Sequence, residues 1–158
     1  MAKSKDKLLI GRKEDINLPD LKLKELDAKI DTGAYTSSMH CHHIETVKKG
    51  GTEFLKFKLL DPEHPSYQTR TFVFRNFKKK KVRSSNGEVE HRYVIETKLE
   101  IYGKIFKTEF TLTDRSDMKY PLLLGRKFIK QGFIVDVCRY NVAAKKQKFK
   151  VQILKEKK

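Results

Sequence analysis

Asp31 is the carboxylate in this chain whose surroundings can do chemistry. Ala28-Lys29-Ile30 runs into Asp31-Thr32-Gly33-Ala34-Tyr35-Thr36-Ser37, so a strand with apolar parity ends on an acid. Gly33 lets the backbone turn sharply and approach other groups closely. Thr32 supplies a hydroxyl, and Thr36 with Ser37 can cap or hydrogen-bond the turn. A carboxylate fixed in this way can take and return protons. The competing reading is a polar turn that closes a hairpin. A second segment bears on the choice: Tyr120-Pro121-Leu122-Leu123-Leu124 is apolar, ends in Gly125-Arg126 and enters a short helical pattern through Lys127, Phe128 and Ile129.

The elements that must position these residues read mostly as strands. Leu55, Phe57 and Leu59 alternate with Lys56 and Lys58; Phe106, Phe110 and Leu112 share one parity; Phe149, Val151 and Ile153 alternate with Lys148, Lys150 and Gln152. Apolar on one face and charged on the other is the pattern of half-buried antiparallel strands. Between Leu21 and Ile30 the apolar parity slips, which predicts a bulge or break near Lys24-Glu25. Turn signals fall at Lys49-Gly50-Gly51, Asp61-Pro62 through Pro65, Ser84-Ser85-Asn86-Gly87 and Tyr102-Gly103-Lys104. Asn86-Gly87 has the composition of a type I′ hairpin turn, whose two central residues both need positive φ. Arg126 to Gln131 is the helical segment, with Gly132 as its C-cap. The prediction is an all-β fold with one short C-terminal helix, forming one domain over 1–158 with a core of about 8–154 between lysine-rich tips.

Composition narrows the function classes. Lys and Arg number 36 against 20 Asp and Glu, a formal charge of +16. Such a chain attracts polyanions or acidic partners at low salt. No apolar run approaches the roughly 18 residues that span a bilayer. The charged start and the short run Leu8-Leu9-Ile10 do not make a signal peptide. Cys41 and Cys138 are too few for a disulfide framework. The cytoplasm is the expected location, and charge alone does not choose between nucleic acid and an acidic protein.

The order of the two chemistry-bearing segments resembles an aspartic peptidase of the retroviral type: an apolar strand into Asp-Thr-Gly-Ala, then an apolar run into Gly-Arg and a helix. The likeness extends further. Ala28 to His40, Val82-Arg83-Ser84-Ser85-Asn86-Gly87 with Glu90 and Arg92, Thr111 through Met118, and Leu123 through Asp136 are similar to one bacterial family. It is the retropepsin-like group labelled "ATP-dependent zinc proteases", associated with ATP-grasp glutamate ligases. The resemblance covers roughly residues 8 to 140.

This resemblance implies a retropepsin-like acid-protease half-barrel with Asp31 as the catalytic carboxylate. Aspartic peptidases use two carboxylates that share one proton, because neighbouring like charges do not both ionise cheaply. The chain holds one Asp-Thr-Gly, so such a site requires a homodimer in which each copy contributes Asp31. In the resembling enzymes the hydroxyl at Thr32 bonds across the dimer and Gly33 offers its carbonyl to substrate. Ala34, and Asn86 and Gly87 at the tip of a mobile flap, are expected on the substrate side; the plain alternative for the tip is a solvated hairpin. Gly125 and Arg126 are expected to be structural. One departure stands out: where retroviral enzymes carry an Asp that pairs with the arginine, this chain has Tyr35. Arg126 must then find another carboxylate, with Asp114 and Asp136 as candidates, or none. A dimer also doubles the charge of +16 and must keep its lysines apart.

The family label mentions zinc and ATP. Met39-His40-Cys41-His42-His43 offers four consecutive ligating side chains, but on a strand His40 and His42 point to one face while Cys41 and His43 point to the other. Four ligands therefore do not converge on one tetrahedral ion, and no metal is expected. No phosphate-cradling Gly-x-x-x-x-Gly-Lys-Ser/Thr occurs, so no cofactor is expected and any ATP dependence belongs to a partner. The basic runs at Lys78 to Lys81 with Arg83, and from Lys145 to Lys158, have Phe77, Tyr140 and Phe149 near them. Stacking of single-stranded nucleic acid there is conceivable, yet no nucleic-acid-binding motif is matched. The reading is an aspartic endopeptidase acting on a protein or peptide substrate, including an acidic, glutamate-rich one, with a functional link to an ATP-grasp glutamate ligase. The alternative is a non-catalytic retropepsin-fold module that binds an acidic protein or nucleic acid. The segment Phe149 to Leu154 is a candidate for the dimer interface, as terminal strands are in retroviral enzymes.

Overall fold

The computed structural model describes residues 6–59, 71–83, 86–114 and 119–146. Eleven strands carry these residues: β1 (Leu8–Ile10), β2 (Lys13–Leu18), β3 (Leu23–Ile30), β4 (Ser37–Lys49), β5 (Thr52–Leu59), β6 (Thr71–Phe74), β7 (Lys78–Arg83), β8 (Val89–Ile101), β9 (Lys104–Thr113), β10 (Leu122–Leu124) and β11 (Phe133–Val135). Helix α1 (Arg126–Ile129) follows β10, and a 3-10 turn (Pro19–Leu21) joins β2 to β3. The fold is all-β, as the alternation predicts. A second short helical segment, 142–146, adds to the one helix legible in the sequence. Among the described residues no helix is long and apolar enough to cross a membrane.

The large sheet runs β10-β3-β2-β8-β9-β4-β5-β6, with β7 added on β8. β10 pairs parallel with β3 and antiparallel with β4, so the three-residue strand lies between the two strands that flank the Asp31 turn. β1 and β11 form a separate parallel pair, Leu8 opposite Phe133. The predicted terminal strand Phe149 to Leu154 lies outside the described residues, as do the turn at Asp61 through Pro65, Ser84-Ser85, and Arg115 to Met118.

Side-chain parity places the core. Leu55, Phe57 and Leu59 are buried while Lys56 and Lys58 face outward, and Phe110 and Leu112 join the same core. Phe57, Phe110 and Phe128 are among the largest fully buried side chains, each contributing about 1.5–3 kcal/mol through apolar burial. Phe128 stacks on Phe133 with ring centroids 4.8 Å apart, which seats α1 against β11. The parity slip in β3 is a bulge at Glu25: its φ is +53°, Lys24 and Glu25 are both exposed, and its N–H donates to Asn17 Oδ1 at 2.9 Å.

Turn chemistry differs from expectation at one hairpin. Gly50-Gly51 and Tyr102-Gly103 take positive φ at both central positions, the geometry of tight two-residue hairpins. The β7–β8 connection is longer. Arg83 faces Val89 across the ladder, Gly87 takes φ +85°, and Asn86 Oδ1 accepts from Glu88 N–H at 3.1 Å. The position read from Asn86-Gly87 holds, but the last ladder pair, Arg83 opposite Val89, leaves more than two residues between the strands. Farther along, α1 ends at Ile129, and Gly132 at φ +140° redirects the chain into β11.

Glu14 ties the ends of the described fold together. It is fully buried, and its carboxylate accepts from the main-chain N–H groups of Gly11 at 2.8 Å, Val142 at 3.0 Å and Ala143 at 3.0 Å. Amide donors thus replace the water lost on burying a charge.

Candidate active site at the Asp31 turn

Two segments far apart in sequence meet at this turn. Asp31 N–H donates to the Leu124 carbonyl at 2.9 Å, which continues the β3–β10 pairing to the last residue before the turn. The Asp31 carboxylate accepts from Gly33 N–H at 2.9 Å, and Ala34 N–H donates to the Asp31 carbonyl at 3.3 Å. A backbone amide therefore orients the acid while the turn folds round it. Asp31 is half-buried, and Thr32 and Gly33 are exposed. The carboxylate is presented at the surface of the chain.

The Gly125-Arg126 segment braces the turn from below. Arg126 N–H donates to the Ala34 carbonyl at 2.8 Å, and Lys127 N–H to the Tyr35 carbonyl at 2.9 Å. Gly125 N–H donates to Ser37 Oγ at 3.1 Å. A Cβ at position 125 would lie 2.7–2.8 Å from the carbonyl oxygens of Thr36, Ala34 and Tyr35, so glycine is required by close approach. The sequence predicts that Ser37 bonds the turn itself; its hydroxyl instead accepts from the Gly125 segment that braces the turn.

Arg126 finds neither of its two candidate carboxylates. Asp114 Oδ1 lies 3.3 Å from His42 Nδ1, and Asp136 pairs with Arg139 at 3.2 Å while accepting from Cys138 N–H at 2.9 Å. The Arg126 guanidinium instead donates to the Thr32 carbonyl at 3.0 Å and lies 5.7 Å from the centre of the Tyr35 ring. Lys130 Nζ approaches the same ring at 5.1 Å. Tyr35 thus replaces an acid with an aromatic face that two cations share.

The remaining candidates lie elsewhere. Asn86 and Gly87 sit at the tip of the β7–β8 hairpin, away from the hydrogen bonds that bind the Asp31 turn to β10 and α1. His40 and His42 share one face of β4 with ring centroids 4.8 Å apart, as strand parity predicts. Cys41 on the opposite face is fully buried, and burial, reinforced by the charge of Asp114, pushes its thiol well above the ordinary range. Among the described residues no three His, Cys, Asp or Glu side chains gather as a metal site would need. On β7, Lys79 pairs with Glu53 at 3.4 Å and lies 5.9 Å from the Tyr93 ring. Tyr140 is flanked by Arg12 at 4.9 Å and Lys145 at 4.3 Å. Sequence reasoning missed Glu109, which joins β7 to α1: its Oε2 accepts from Lys127 Nζ at 2.8 Å and Oε1 pairs with Lys78 Nζ at 3.7 Å. Nothing local marks it, because its partners come from two distant segments.

A short strand threaded between the two flanks of an Asp-Thr-Gly turn, ending in Gly-Arg and a helix, defines a retropepsin-like protein. The chain belongs to the RimB-like family, described as retropepsin-like aspartic endopeptidase RimB, which it matches over residues 9–146. It is 36% identical over 137 residues to a protein of Shewanella halifaxensis named "Probable alpha-L-glutamate ligase" and 33% identical over 140 residues to one of that name from Desulfotalea psychrophila. These matches cover 84% and 86% of this chain but 29% of each relative's length. Among solved structures, a Legionella pneumophila protein of unknown function (DUF785) superposes with a TM-score of 0.67 at 28% identity, covering 86% of this chain and 98% of that one.

Proposed function

We propose that the chain is an aspartic endopeptidase that works as a homodimer, with one Asp31 carboxylate from each copy forming the catalytic pair. The observation that carries this reading is the mounting of Asp31. The acid stands at a strand end, held by Gly33 N–H, on a turn braced through Ala34, Tyr35 and Thr32 by the Gly125-Arg126 segment. With two such turns facing across a twofold axis, the ionised carboxylate takes a proton from water as that water adds to the scissile carbonyl carbon. The protonated partner donates to the carbonyl oxygen. Collapse of the tetrahedral intermediate breaks the C–N bond and returns a proton to the leaving amine. The pair titrates as a unit.

In this reading Thr32 bonds across the dimer, Gly33 offers its carbonyl to the peptide, and Ala34 lies on the substrate side. Asn86 and Gly87 form the tip of a flap that excludes water. An acidic, glutamate-rich substrate fits the charge of +16 and the names of the glutamate ligase relatives, and attraction to it weakens with salt. The exposed lysines of β7 favour a second reading, a non-catalytic module that binds an acidic protein or nucleic acid. Asp31→Asn separates the two. On a fluorogenic glutamate-rich peptide the variant loses cleavage while it keeps its fold and its binding of acidic ligands. Cleavage that survives the substitution removes the aspartic mechanism, and wild-type protein that binds without cleaving supports the second reading.

A further inference from the structure

Glu109 stands on β9 where β7 and α1 come within reach of one carboxylate. Lys78 is the first residue of β7 and forms the base of the β7–β8 hairpin. Lys127 belongs to α1, and its main-chain N–H donates to Tyr35 in the Asp31 turn. Glu109 binds both ammonium groups, one on each carboxylate oxygen, at 3.7 Å and 2.8 Å. The hydrogen bond from Lys127 holds the Glu109 carboxyl below its ordinary range, with the charges of Lys127 and Lys78 adding to it against partial burial.

The β7–β8 ladder holds the hairpin base by its backbone, Lys78 opposite Val94, and the Glu109 bridge adds a side-chain link from that base to α1. A cavity of about 280 Å³ opens beside Glu109 toward Arg75, Phe77 and Lys78. Another of about 260 Å³ opens toward Ser37, Lys127 and Phe128. Glu109 lines both cavities, and its side chain is partly exposed. Glu96 stands directly across the ladder and lines both cavities, so a second negative charge also attracts Lys127. An exposed ion pair breaks and re-forms more readily than a packed apolar contact.

We propose that Glu109 is a positioning residue that couples the β7–β8 hairpin to the Asp31 turn, by way of Lys78 on one side and Lys127 with its bond to Tyr35 on the other. Its consequence for catalysis rests on the peptidase reading; the coupling itself belongs to the fold.

Residue-resolved amide hydrogen exchange on the full chain tests it. Glu109→Gln keeps the shape and removes the charge. Exchange is expected to quicken about two- to fivefold both in the hairpin base, residues 78–81, and in the turn, residues 33–35, with β2 and β3 unchanged. The double variant Glu109→Lys with Lys127→Glu restores an ion pair to the helix but sets two lysines together at position 78. It is expected to return the turn to wild-type exchange and leave the hairpin base fast, an outcome that general destabilisation does not produce. A faster hairpin with an unchanged turn, a uniform rise across the sheet, or no change at either place overturns the coupling. Cleavage of the fluorogenic glutamate-rich peptide is measured separately. Its absence in the wild type counts against the peptidase reading and leaves the exchange result standing.

Discussion

The guanidinium of Arg126 donates to the main-chain carbonyl of Thr32 at 3.0 Å, joining residues 94 positions apart. Arg126 therefore acts on the acid-bearing turn through its backbone, with the Tyr35 ring as the wall behind the charge. Aromatic support fixes where the cation sits without supplying a counter-charge, so the full charge remains available to the Thr32 carbonyl.

Arg126→Ala is expected to remove this brace at a modest cost in stability, about 0.5–1.5 kcal/mol, because the exposed Thr32 carbonyl regains water. In the proposed peptidase reading, cleavage is expected to fall further, on the order of tenfold to a hundredfold, since the turn that carries Asp31 loses its register. Urea unfolding beside initial rates measures both. Arg126→Lys, with a charge but no planar fork, should recover only part of the rate.

Gly125→Ala places a Cβ among three main-chain carbonyl oxygens that have no flexible side chain to move aside. The expected loss is about 2–4 kcal/mol, at the severe end for a single methyl, because relief requires pulling the Gly125 segment away from the Ala34-Tyr35-Thr36 backbone. Thermal and urea unfolding check the magnitude. Wild-type stability in this variant would show that the turn yields.

Asp15 and Asp27 face each other across β2 and β3, with Lys13 Nζ at 3.3 Å from the first and 2.9 Å from the second. Burial, then the hydrogen bond shared with Asp27, raises the Asp15 carboxyl above its ordinary value despite Lys13. A carboxyl raised on folding binds its proton more tightly in the native state than in the unfolded chain. Its ionisation therefore costs stability in full above the folded value, and that cost shrinks as pH falls and is gone below the unfolded one. Asp15→Asn is expected to be slightly more stable than wild type at neutral pH and to lose that advantage on acidification. Urea midpoints from pH 3 to pH 8 show the sign, and an advantage that grows on acidification would contradict it.

Much of this protein is legible in its sequence because strand parity and turn conformation are local properties. Phe57 and Phe110 face inward because residues of one parity share a face, and the slip before Ile30 requires an extra residue, which Glu25 supplies. Asp31-Thr32-Gly33 and Gly125-Arg126 announce the turn and its brace by composition. The sequence leaves open what those residues touch. Asp114 and Asp136 are chemically suitable partners for Arg126, but the fold commits them to His42 and Arg139 and leaves Arg126 a carbonyl and a ring. The Asn86-Gly87 pair locates a hairpin but not its length, because the ladder partner of Arg83 is set by the whole register of β8. Glu109 carries no local mark at all. Its role arises because β9 brings one carboxylate between Lys78 and Lys127, and which charges meet across a closed sheet is decided by long-range register.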